Sequence, residues 1–168
     1  MIKIYLLDKK STLVSTHEEY IKLPKSFIEI RKEAIKLYKW LKSIEKRYVT
    51  KDCWVESKYS LEVKVISKTK NEQGVAVFLE TMFLMNYTFD KYKKIKKPRF
   101  KILFEKNNFF KKEIIEGVFL ARDLVNEPLS FLTAEQLSKE IIKAGKKAGF
   151  SVEVLNEKKI ESLGMGGV

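Results

Sequence analysis

The sequence has few of the residues that most often build catalytic centres, with one cysteine and one histidine in 168 residues. The single cysteine, Cys53, cannot form an internal disulfide, which favours a reducing compartment. The single histidine, His17, cannot provide the two-histidine pattern of a helical zinc site. We therefore interpret His17-Glu18-Glu19 as an exposed polar turn and Cys53 as a small buried apolar residue rather than a nucleophile.

The sequence also lacks a long apolar run. Its most apolar stretch, residues 75–89, is interrupted by Glu80 and Asn86 and is too short to cross a bilayer. Residues 1–20 lack the basic start, apolar segment and small-residue cleavage site of a secretory signal. We therefore expect a cytoplasmic protein without a membrane partner.

Arginine is scarce although the net charge is +12: only Arg31, Arg47, Arg99 and Arg122 are present among 34 basic residues. Proteins that read phosphates or guanines exploit the bidentate arginine fork, which lysine cannot provide. The basic and aromatic segment 92–101 is typical of single-strand binders, but a solvated loop ended by Pro98 is the favoured interpretation. A nucleic-acid partner is therefore a disfavoured alternative.

Hydrophobic periodicity predicts an α/β protein. The clearest helix is Phe27–Arg47, in which apolar residues recur every three or four positions. The pattern predicts five strands (Ile2–Leu7, Tyr48–Val55, Tyr59–Ile66, Arg99–Glu105 and Ser151–Leu155) and further helices over 71–87, Lys111–Asn126, after Thr133 and after Asn156. This alternation of strands and helices predicts a mixed, mostly parallel sheet flanked by helices.

The C-terminal part carries clear helix boundaries. Thr133 and Gln136 form a capping-box pattern, Gly149 can close that helix in the left-handed conformation, and Asn156 caps the next helix. The glycines at 164, 166 and 167 are not followed by the lysine and hydroxyl residue that a P-loop needs. These signals specify structure, so we assign no catalytic and no metal-binding residue in this chain.

Two motifs stand out in the second half of the sequence. The first is the run Ala121-Arg122-Asp123-Leu124-Val125-Asn126-Glu127-Pro128, followed by Leu132-Thr133, by Gly149-Phe150-Ser151-Val152-Glu153-Val154-Leu155 and by Leu163-Gly164-Met165-Gly166. The second, weaker motif lies in 87–93 and includes Phe89, Asp90, Tyr92 and Lys93. Together they cover about residues 75–168 and resemble the cytosolic leucyl aminopeptidase family. Thr88 and Ala134 depart from the family's arginine and proline, and residues 82–85 lack its glycine.

The resemblance implies a macrodomain-like accessory domain in residues 1–110, a connecting helix in 111–127 and the truncated beginning of a catalytic domain in 128–168. Family members form hexamers and use two divalent metal ions, zinc or manganese, to activate water. Their metal-binding motifs do not occur here, so no ligand can be carried over, and the chain alone is expected to be inactive. The alternative is a stand-alone macrodomain-like module for ADP-ribose-type ligands, although residues 1–100 lack a glycine-rich phosphate loop.

Overall fold

The computed structural model of the chain describes residues 2–7, 18–48, 59–94 and 99–166. The chain divides into two compact units, residues 1–120 and residues 121–168. We call them the sheet unit and the C-terminal unit and describe each by itself. The expected boundaries at 110 and 127 stay predictions, and the division between the two units falls within a helix, after Leu120. His17, Cys53 and most of the predicted strand Tyr48–Val55 lie outside the described residues.

The described sheet has four strands, all parallel, in the order β2-β1-β3-β4. They are β1 (Ile2–Leu7), β2 (Glu18–Lys22), β3 (Tyr59–Ser67) and β4 (Arg99–Phe104). The predicted α/β class is therefore confirmed, with a sheet that is parallel throughout its described strands.

Strand β2 corrects the sequence interpretation of Glu18 and Glu19 as a polar turn. Both residues pair in parallel register with β1, and the ring of Tyr20 stacks on that of Tyr5 with centroids 4.8 Å apart. β2 is an edge strand of the described sheet. A short edge strand that carries charge is one way in which proteins discourage unwanted pairing at a sheet edge.

Two helices, α1 (Phe27–Tyr48) and α2 (Glu72–Met85), pack against each other. α1 lies in the connection from β2 to β3 and α2 in the connection from β3 to β4, so both connections run in the same direction across the sheet. Right-handed crossovers place two such helices on the same face of the sheet. Burial agrees, because alternate residues of β1, β3 and β4 are buried on one face. The core joins these residues to the apolar stripes of the helices: Ile4, Leu6, Val63, Val65, Phe100, Ile30, Leu41, Phe78, Leu79 and Met82 are all nearly or fully buried.

At the outer edge of β4, where no described strand pairs, the backbone of Phe100 is hydrogen-bonded by a side chain. The buried Asn86, which ends α2, donates from Nδ2 to the Phe100 carbonyl (2.7 Å) and accepts at Oδ1 from the Phe100 N–H (3.0 Å). The guanidinium of Arg99 donates to the Thr88 carbonyl at 2.8 Å. The segment after α2 is thereby held beside β4, where unpaired backbone groups would otherwise meet water or another chain.

Three helices follow β4: α3 (Lys112–Asn126), α4 (Ala134–Ala148) and α5 (Glu157–Ser162). The predicted caps are confirmed. Thr133 Oγ1 accepts from the Gln136 N–H at 3.3 Å, Asn156 Oδ1 accepts from the Lys159 N–H at 3.0 Å, and Gly149 closes α4 with a φ of 82°.

Two details of the C-terminal prediction are wrong. The Gln136 side chain donates to Glu140 Oε1 (3.1 Å) instead of reaching back to the start of α4, so the second half of the capping box is not formed. Residues 151–155 have no regular secondary structure, because no described strand pairs with them. Their alternating pattern is that of a strand, but a strand needs a neighbour.

Candidate functional site

The motif residues of the sheet unit form a surface turn after α2. The Lys93 N–H donates to the Asp90 carbonyl at 3.1 Å, and the Phe89 and Tyr92 rings meet edge to face at 6.0 Å. The Lys91 ammonium lies 5.5 Å from the centre of the Tyr92 ring. These contacts stabilise the turn and leave Tyr92 and Lys93 exposed.

The motif residues 121–128 form the end of α3 and the turn that leaves it. Ala121 and Asp123 are exposed, whereas Arg122 and Leu124 are half-buried. Asn126 donates from Nδ2 to the Arg122 carbonyl at 2.7 Å, which satisfies one of the last carbonyls of the helix. The Pro128 carbonyl then accepts from the backbone N–H groups of residues 131 and 132, both at 2.9 Å, and so turns the chain toward α4.

The glycine-rich motif at the end of α5 is also a helix terminator. Gly164 adopts a φ of 64°, a conformation that favours glycine, and the Met165 N–H donates to the Ile160 carbonyl at 3.2 Å. The Gly166 N–H donates to the Gly164 carbonyl at 3.0 Å. These three residues therefore close a helix, and Met165 remains about half exposed.

Sequence reasoning missed the role of Gly145, the one buried residue of α4. A Cβ at this position would lie 2.5 Å from Val152 Cγ2 and 3.0 Å from the Phe150 carbonyl oxygen. The chain that leaves α4 therefore folds back directly onto Gly145. A glycine three residues before the helix end, followed by Phe150 and Val152, is the only signal that the sequence gives of this close approach.

The C-terminal unit exposes many large apolar side chains. We call them the apolar surface of this unit: Val125, Leu129, Phe131, Ile141, Phe150, Val154, Leu163 and Met165. Val125 and Leu129 are the most exposed, at 85% and 86%. Where exposed apolar side chains adjoin, they mark sites of association, and this unit offers eight of them in 48 residues.

Charge separates the two units. Residues 121–168 contain seven basic and seven acidic residues, so the whole net charge of +12 lies in residues 1–120. An electrically balanced apolar surface suits contact with protein, whereas the sheet unit carries the field that attracts anions.

Two exposed acids, Glu62 and Glu135, have their pKa lowered, first by a hydrogen bond from Lys101 and Lys139 respectively and then by the lysine charge.

The described residues do not provide a metal centre. Within residues 2–7, 18–48, 59–94 and 99–166, no three His, Cys, Asp or Glu side chains come together in a way that could hold an ion. The two metal ions implied by the resemblance therefore do not fit the part of the chain that the structure describes. No described helix combines the length and the apolar character that crossing a bilayer requires.

The chain is similar to several known proteins over part of its length. A "Probable cytosol aminopeptidase" of Fusobacterium nucleatum is 37% identical over 102 residues, which are 57% of this chain and 21% of that protein. One of Clostridium perfringens is 36% identical over 109 residues, covering 56% of this chain and 22% of the relative. A third, of Chlorobaculum tepidum, is 56% identical over 48 residues. No family model matches the chain.

The match is partial on both sides, since the aligned part spans about a fifth of the length of the first two relatives. Over more than half of its own length, the chain is homologous to proteins named probable cytosol aminopeptidases, whose N-terminal region it resembles.

Proposed function

We propose that this chain is the N-terminal, non-catalytic part of a metal-dependent leucyl aminopeptidase that releases N-terminal amino acids from peptides in the cytoplasm. Its role is to arrange the catalytic domain and to support oligomer assembly, with a hexamer as the complete form. The partial homology to cytosol aminopeptidases supports the proposal. The catalytic groups and the two divalent metal ions, zinc or manganese, then belong to the larger part of the enzyme.

The single observation that carries the proposed assembly role is the apolar surface of the C-terminal unit. Its side chains are exposed in a unit without net charge, which is the character of a surface that another protein domain covers. Covering each half-exposed side chain stabilises the complex by on the order of 1 kcal/mol. Several such contacts give an attachment strong enough to fix a domain in place.

Residues 151–155 support the same assignment. They carry the alternating pattern of a strand, and no described strand pairs with them. Val152 is anchored on α4 at Gly145, so the segment is held on one side by a helix. We propose that a strand of the catalytic domain pairs with this segment and supplies partners for its backbone N–H and C=O groups.

The same proposal divides the chain into three parts. Residues 1–110 are proposed to be a macrodomain-like accessory domain and residues 111–127 the connecting helix. Residues 128–168 are then proposed to be the first layer of the catalytic domain. The confirmed α/β fold with a parallel sheet is compatible with this division.

The test is reconstitution with a relative. The Fusobacterium nucleatum aminopeptidase is expressed without the region that this chain matches, and the two proteins are mixed with manganese or zinc. We expect the 168-residue chain alone to leave a leucine anilide intact, to form a complex visible by size-exclusion chromatography and to raise the activity of the shortened relative.

Matched variants identify the surface that makes the complex. Phe150→Ser combined with Val154→Ser should weaken the complex at least tenfold, because two exposed apolar contacts are lost. Phe109→Ser combined with Ile114→Ser, which removes two apolar side chains of similar exposure from the sheet unit, should leave the complex unchanged. Hydrolysis by the chain alone, or equal weakening by both variants, contradicts the proposal.

A further inference from the structure

The parallel sheet gathers several loops at one edge. Its four strands run in the same direction, so the segments that follow them all begin at the carboxyl edge. Backbone hydrogen bonds attach two of these segments to the end of β1: the Leu23 N–H donates to the Leu7 carbonyl at 2.8 Å, and the Lys68 N–H donates to the Leu6 carbonyl at 2.9 Å. Asn107 Nδ2 donates to the Glu72 carbonyl at 3.0 Å and ties the loop after β4 to the start of α2.

These loops are rich in lysine. We call residues 22–28, 67–72 and 105–111 the basic edge. It exposes six lysines against two acidic residues, namely Lys22, Lys25, Lys68, Lys70, Lys106 and Lys111 against Glu72 and Glu105. The edge is therefore a concentrated part of the positive charge of the sheet unit, and it attracts anionic surfaces over a Debye length.

Large apolar side chains project from the same edge. Phe27 and Ile28 are 49% and 66% exposed at the start of α1, and Phe109 is 49% exposed in the loop after β4. They come from two segments at the same carboxyl edge, one after β2 and one after β4, which are the outermost strands of the described sheet. Apolar side chains that share loops with lysines are the combination by which proteins bind the surface of an anionic bilayer.

We propose that the basic edge docks on an anionic phospholipid surface, with Phe27, Ile28 and Phe109 entering the boundary between headgroups and acyl chains. Lysine favours this partner, because a point charge on a long flexible stem suits a diffuse layer of headgroups. Ile28, the most exposed of the three, can enter hydrocarbon but cannot stack on a nucleic-acid base. The sequence lacks a long apolar run, and from this we expected no membrane partner. Attachment to the surface of a bilayer needs no such run, so that expectation does not apply to it.

The test compares vesicles of phosphatidylcholine with vesicles enriched in phosphatidylserine, using cosedimentation of the full chain. We expect binding to the anionic vesicles only, and weaker binding as salt is added. Replacing Lys22, Lys25 and Lys106 by Gln should weaken binding by about fivefold per lysine, or about a hundredfold together. Ile28→Ser should weaken it by about tenfold, because the inserted apolar surface is lost.

Controls with the same chemistry come from α4 and α3. Lys139, Lys143 and Lys146 are exposed on α4, so replacing all three by Gln removes the same charge elsewhere. Leu120→Ser removes an exposed apolar side chain from α3, outside the basic edge. Both controls should bind as the unchanged chain does, and circular dichroism should show that every variant is folded.

Several results overturn the proposal. These are no binding to anionic vesicles at low salt, equal binding to neutral vesicles, and equal losses in the two control variants. Tighter binding to a single-stranded oligonucleotide than to the anionic vesicles also overturns it and assigns the basic edge to nucleic acid.

Discussion

Replacing Asn86 by Ala removes the side chain that completes the outer edge of the sheet. Asn86 is 8% exposed, and its amide makes both hydrogen bonds of a ladder step with Phe100, at 2.7 Å and 3.0 Å. Phe100 itself is 1% exposed. Its backbone N–H and C=O would therefore lose their partners in a place that water reaches poorly.

The expected loss follows from those two groups. An unpaired buried donor or acceptor costs about 1–3 kcal/mol, so the two groups together set a range of about 2–6 kcal/mol. Because β4 is the edge strand of the described sheet, some water can enter once the side chain is gone. We expect the free energy of unfolding to fall by about 2–4 kcal/mol. In a chain of this size, that corresponds to a fall in Tm of about 5–15 °C.

Urea denaturation followed by far-ultraviolet circular dichroism measures this loss. The control is Asn108→Ala, which removes the same type of side chain from an exposed position and should change stability by less than about 0.5 kcal/mol. Asn86→Asp keeps the acceptor for the Phe100 N–H but places a carboxylate against the Phe100 carbonyl. It should be destabilised at neutral pH and partly recover in acid, where the protonated group can donate. If Asn86→Ala and Asn108→Ala are equally stable, the side chain does not serve as a substitute strand.

Three further variants have expected outcomes. Gly145→Ala places a Cβ 2.5 Å from Val152 Cγ2, so hydrogen exchange of the Phe150 N–H, which donates to the Gly145 carbonyl at 3.0 Å, should rise sharply, and unchanged protection would contradict the close approach. Thr133→Ala removes the cap of α4 and should cost about 1 kcal/mol, seen as lower helicity on mild heating, whereas Ser at this position should retain the cap. Glu62→Gln should flatten the dependence of stability on pH at pH values below 4.5, the ordinary pKa of glutamate. The pKa of Glu62 is lowered by Lys101, so its contribution is present above 4.5 and is lost as the pH falls through the lowered pKa; an unchanged acid profile would refute this.

The sequence predicted the elements whose periodicity is long, and it failed where partners decide the structure. The helix predicted from Phe27 is observed as Phe27–Tyr48, because its apolar stripe continues over several turns. Strand β2 has five residues and begins with two acids, so its pattern is too short to indicate a strand. Residues 151–155 have the right alternation, but no described strand lies beside them.

Polar contacts between residues far apart in the sequence could not be predicted either. Asn86 and Phe100 are fourteen positions apart, and nothing local indicates that one completes the hydrogen bonding of the other. Gln136 fits the capping-box spacing, yet Glu140 one turn later offers a competing acceptor. The motif residues were found through their resemblance to a family, whereas their roles in turns and helix ends required the structure.

The separation of charge also sets rules for self-association. Two copies that meet through their sheet units bring together bodies that each carry the formal charge of +12, whereas contact through the C-terminal units joins neutral surfaces. Repulsion between like-charged bodies weakens as salt screens it. Ionic strength should therefore change how two copies of this chain associate. In dilute buffer they should meet through their C-terminal units, whereas added salt also permits contact through the sheet units.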